Sequence, residues 1–140
     1  MGGKFDTIHG PTLAIPFTFT NATTGESDSD FTFAGGAGSL VPQPVAGSVV
    51  GVGIRASAAI TAGTMTVKVH KDGTEYPDES APAPALDSDA QESYASVRPS
   101  VLTFAAGEAV GLSLTTTTTL DATNTLDIDG LLYIQLDPNA

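Results

Sequence analysis

The sequence has no cysteine, no tryptophan and only two histidines in 140 residues. Without cysteine there is no disulfide scaffold, no iron–sulfur cluster and no thiolate zinc site. Basic residues are scarce as well: five against 16 acidic ones, for a formal net charge of −11. Sequence-independent nucleic-acid binding needs Lys and Arg to meet phosphates, so that class is excluded. No run approaches the roughly 18 apolar residues that span a bilayer, so no membrane partner is expected. Met1-Gly2-Gly3-Lys4-Phe5-Asp6 carries one base and no apolar run after it, which is not the pattern of a secretory signal. Synthesis in a cytoplasm is therefore expected, and Asn21-Ala22-Thr23 reads as a chance match to a glycosylation sequon. What is present is a 41% hydrophobic fraction with 15% charged residues, the balance of a folded domain and not of an acidic disordered chain. The length suits one core, not two.

The apolar residues recur with period two. Leu13, Ile15, Phe17 and Phe19 alternate with polar or small neighbours, as do Val50, Val52, Ile54 and Ala56. Met65, Val67 and Val69 do the same, then Val110, Leu112 and Leu114, then Leu126, Ile128, Leu132, Ile134 and Leu136. Such runs predict half-buried strands of antiparallel sheets. Turn chemistry separates them. Asp72-Gly73 follows a strand directly, a hairpin signal. Gly63 and Gly107 each sit in an Ala-Gly loop that predicts positive φ. The reading is an all-β, antiparallel β-sandwich of jelly-roll-like type. It has an irregular N-terminal arm over residues 1–11 and a single sandwich domain over 12–140. Residues 75–92 are acidic and Pro-rich and are expected to form a long, mobile loop. The threonine run 115–119 reads as the continuation of a strand.

Few residues offer chemistry. His9 and His70 lie far apart, and each reads as a surface histidine. No Gly-x-Ser-x-Gly elbow supplies a nucleophile. A glycosidase pair needs carboxyls about 5–10 Å apart in a sugar cleft. Asp127 and Asp129 read instead as a solvated polar face of the last long strand. Asp28, Asp30 and the acids of residues 72–92 could be weighed as Ca²⁺ ligands, but their spacing is not that of an EF-hand, and no metal or other cofactor is expected. Gly35 to Gly38 lacks the helix start that a phosphate cradle needs. Arg55 is the one base in the middle of a strand, and Gly51 and Gly53 share its face. A glycine strip admits close approach by another backbone, which makes Gly51, Gly53 and Arg55 a candidate subunit contact. The plainer alternative is an exposed arginine beside weakly packing glycines.

The strand and turn order of residues 47–74, 104–115 and 125–136 resembles small β-sandwich proteins of tailed phages. These are capsid decoration (cement) proteins and head-fibre or tail-fibre tips; a looser resemblance is to C1q/TNF-like heads. It covers residues 45–136 and carries over no motif of functional residues. The resemblance implies a non-enzymatic structural protein that decorates and stabilises the outside of a phage capsid as a homotrimer. The implied partner is the major capsid protein of the virion, with assembly after synthesis in the host cytoplasm. Lys4, Phe5, Ile8 and Leu13 would then form a capsid-contact arm. The alternative is a receptor- or glycan-binding tip domain of a phage fibre or bacterial surface protein, which predicts exposed aromatic residues near loops.

Overall fold

Alternating side chains set the strands, and the pairing register decides which face of each strand is buried. The computed structural model describes residues 11–36, 38–76 and 81–137. In chain order these form β1 (Thr12–Phe19), β2 (Ser29–Asp30), β3 (Thr32–Phe33), β4 (Val41–Pro42), β5 (Gly47–Ala56), β6 (Ile60–Ala62) and β7 (Met65–Lys71). There follow β8 (Thr74–Glu75), β9 (Ala85–Leu86), β10 (Glu92–Ser96), β11 (Leu102–Phe104), β12 (Ala109–Thr116), β13 (Asp121–Ala122) and β14 (Ile128–Leu136). One sheet runs β10–β5–β14–β1–β3, and β11 shares the β10 edge of β5. The second runs β2–β12–β7–β8, with β4 also on β12 and β9 also on β7; β13 and β6 make a small third ribbon. The pairings of both large sheets are antiparallel, so the expected all-β sandwich is observed. Among the described residues no helix is long and apolar enough to cross a membrane.

The inward faces meet in one core. Phe17, Val52, Ile54, Ile128, Leu132 and Ile134 from the first sheet cluster with Met65, Val67, Val69, Leu112 and Leu114 from the second. Burying each such side chain stabilises the fold by about 1.5–3 kcal/mol. Gly130 marks a close approach of the two layers: a Cβ there would lie 2.9 Å from Leu112 Cδ1. The expected Asp72-Gly73 hairpin joins β7 to β8, with both residues at positive φ (54° and 85°) as a type I′ turn requires. Gly63 has φ 74°, and a Cβ there would come within 2.6 Å of the Leu120 backbone nitrogen.

Four details depart from the alternation read in the sequence. Between Tyr133 and Ile134 the partners on β5 jump from Gly51 to Val49, so Val50 is the extra residue of a bulge. Val49 is therefore the fully buried core residue and Val50 is only half-buried. In β1 only Phe17 is fully buried; Ile15 is half-buried and Leu13 is 44% exposed. The threonine run does not continue as a strand: β12 ends at Thr116, and Thr117 turns the chain by accepting from Leu120 N (3.3 Å). Within the acidic Pro-rich connection, Pro82, Pro84 and Leu86 are buried. Val67 N donates to Pro84 O at 3.0 Å, and Ala85–Leu86 pair with β7, so this part of the connection is tied into the sheet.

Candidate functional site

The outer face of the first sheet is where exposed apolar side chains gather. Registers place Glu92, Arg55 and Asp129 in one row across β10, β5 and β14. The next row holds Tyr94, Gly53 and Leu131, continued by Pro16 on β1; the third holds Ser96, Gly51 and Tyr133. Tyr94 is 59% exposed and Leu131 39%, whereas a solvent-facing strand row ordinarily carries polar side chains. The Tyr94 and Tyr133 rings meet edge to face, 5.8 Å between centroids at 77°. An open groove of about 580 Å³ runs along these rows.

The glycines of this face now have a local reason. A Cβ on Gly51 would run into the Tyr94 hydroxyl, and one on Gly53 would lie 3.6 Å from the Tyr94 ring and 3.7 Å from that of Tyr133. The strip is thus filled by the chain's own tyrosines, which any approaching molecule meets first. Arg55 Nε lies 3.6 Å from Glu92 Oε1, with both side chains 72% exposed. An exposed pair of this kind contributes about 0–1 kcal/mol, so both charges stay free to turn to a partner. Gly51, Gly53 and Arg55 therefore share one surface with Tyr94, Leu131 and Tyr133, a connection that the sequence pattern alone does not make. A signal existed: Glu92 to Ser96 alternates like a strand, and Tyr133 lies on the polar side of the last one.

The other expected residues fall elsewhere. Leu13 lies at the start of β1, paired with Ile134. Lys4, Phe5, Ile8 and His9 lie outside the described residues. Asp127 is not merely solvated; its Oδ1 accepts from Asn21 N at 2.9 Å, which ties two loops together. His70 is not a surface residue. It is 6% exposed, and its Nε2 lies 2.6 Å from Ser113 Oγ. Asp28, His70 and Glu75 each bring a ligand atom within 4.8 Å of the other two. This is not a hydrolytic triad. Ser113 is 1% exposed, too buried for attack on a substrate, and His70 Nδ1 has no hydrogen-bond partner to orient the ring.

No family model and no curated protein matches the chain. Among solved structures, it is similar to a chain of the acidic stable capsid structure of Helicobacter pylori bacteriophage KHP30. Identity is 14%, coverage is 93% of this chain and 96% of that one, and the TM-score is 0.47. The likeness to a phage capsid chain is loose and carries no functional assignment.

Proposed function

We propose that this chain is a non-enzymatic structural protein that decorates and stabilises the outside of a phage capsid as a homotrimer. The observation that supports it best is the cluster of exposed Tyr94 and Leu131 with half-buried Tyr133, beside the charged row of Arg55, Glu92 and Asp129. Contiguous apolar surface rimmed by charge is the usual mark of an interaction site. Tyrosine and arginine are also the residues that contribute most at such sites. In a trimer the contact is heterologous, so Arg55 of one copy meets a different patch of the next, and with 16 acids against five bases in the chain its expected partner is a carboxylate. The capsid side is assigned to Lys4, Phe5 and Ile8 of the arm together with Leu13 at the start of β1, meeting the major capsid protein.

Light scattering on the full chain tests the trimer. A three-subunit mass is expected at micromolar concentration, with Leu131→Asp reducing it to one subunit while the β-sheet circular dichroism spectrum is retained and the melting temperature falls. A single-subunit mass for the unaltered protein would overturn the reading. One observation favours a second reading, the receptor- or glycan-binding tip: the 59% exposed Tyr94 ring stands beside the row of Glu92 and Asp129, whose carboxylates could accept sugar hydroxyls. That reading predicts saturable glycan binding by a monomer, lost on Tyr94→Ala.

A further inference from the structure

The outer face of the second sheet carries a separate constellation. Register sets His70 opposite Gly111 on β12 and opposite Glu75 on β8. The chain at Ser39 and Leu40 passes directly over Gly111, and His70 is left only 6% exposed. Asp28 approaches from the other side of β12. Its backbone is in the left-handed region (φ 47°), its N–H donates to Thr115 Oγ1 and its Oδ1 accepts from the same hydroxyl, both at 3.2 Å. These restraints aim the carboxylate across the strand. The result is one ligand atom each from Asp28, His70 and Glu75 within 4.8 Å of one another.

The histidine supplies an independent sign. Ser113 Oγ meets Nε2 at 2.6 Å, while Nδ1 is buried with no hydrogen-bond partner. A buried imidazole normally satisfies both nitrogens, and a hydroxyl on one of them is the kind of partner that fixes the tautomer of a metal-ligating ring. Two carboxylates and a neutral imidazole also balance the charge of a divalent ion, in a donor set suited to zinc and its neighbours. Lys68 Nζ currently lies 3.2 Å from Glu75 Oε1, with its side chain 39% exposed. It is a resident counter-charge that an incoming ion must displace towards solvent. We propose that Asp28, His70 and Glu75 form a three-ligand site for a divalent transition-metal ion of the zinc class, with solvent completing the shell. The site would bridge the segment before β2 to the β7–β8 hairpin, whatever the outer face of the first sheet binds.

Calorimetric titration of the full chain with Zn²⁺, in about 0.15 M salt to screen the remaining acids, tests this. The visible spectrum with Co²⁺ reports coordination directly. One ion per chain is expected. The exposed change Asp28→Asn and the half-buried Glu75→Gln should each weaken binding about tenfold or more, with the fold retained by circular dichroism. His70→Asn should abolish the Co²⁺ bands, and Asp121→Asn, on another ribbon, should change nothing. Absence of saturable one-to-one binding, or binding unaffected by Asp28→Asn and Glu75→Gln, would overturn the proposal.

Discussion

Tyr76 joins the two sheets at one point and leaves a titration signature. It is 8% exposed, and its hydroxyl donates to Thr103 O at 3.0 Å. Burial first, and then the charges of Glu108 and Asp72, push its phenol from 10.0 up to about 12. An unfolded chain loses that proton near pH 10 while the folded one keeps it to about 12. In that window the unfolded state binds fewer protons, so stability falls as pH rises. Denaturant unfolding between these pH values should show the decline, and Tyr76→Phe should flatten it. At neutral pH the same change should cost about 0.5–1.5 kcal/mol for the lost hydrogen bond. Local turn chemistry at this scale was legible: Gly63, Asp72 and Gly73 have the positive φ that their neighbours in sequence demand. The burial of His70 was not legible, because its neighbours come from far along the chain: it pairs with Gly111, which Ser39 and Leu40 cross, and its ring meets Ser113. The function of Gly51 was hidden for the same reason, since its partner Tyr94 is brought in by β10.

Among elements, β9 separates what pattern can show from what it cannot. Prolines and acids around it read as a loop, and two residues are too few for alternation to be recognised. Its edge position explains how it forms. Proline is tolerated where no N–H is needed by the ladder, and Pro84 contributes only its carbonyl, to Val67 N. Leu86 is fully buried against β7, so Leu86→Ala should lower unfolding free energy by about 2–5 kcal/mol, read by denaturant melts. Ala83→Ser in the same segment, at an exposed site, should stay within about 0.5 kcal/mol. The long strands β5, β7, β12 and β14 were legible because one face of each is buried along most of its length. The bulge at Val50 was not, since it is a property of two strands and shows only once β14 is laid beside β5.

For the whole molecule, the arm and the sandwich are expected to be separable. Pro11 O accepts from Leu136 N at 3.2 Å, so the sheet is already engaged where the arm would join it. Removing residues 1–10 should shift stability by less than about 0.5 kcal/mol in denaturant melts while abolishing sedimentation with purified capsid shells. Unchanged co-sedimentation would remove the arm from the contact. The chain's acidity adds a dependence on salt: with a net charge of −11 on each copy, association should strengthen as ionic strength rises. The pairing of β1 with β14 has a consequence in time as well as in space. These two strands lie side by side in the first sheet, although one starts at Thr12 and the other ends at Leu136. During synthesis β5 must therefore wait for its central neighbour until nearly the whole described chain has been made. Loop closure over such separations is slow, so the first sheet should close only after β14 has emerged, on a millisecond-to-second scale typical of non-local β topologies. A ribosome stalled before residue 128 should hold a chain that a protease cuts readily, with protection gained only when β14 has left the exit tunnel.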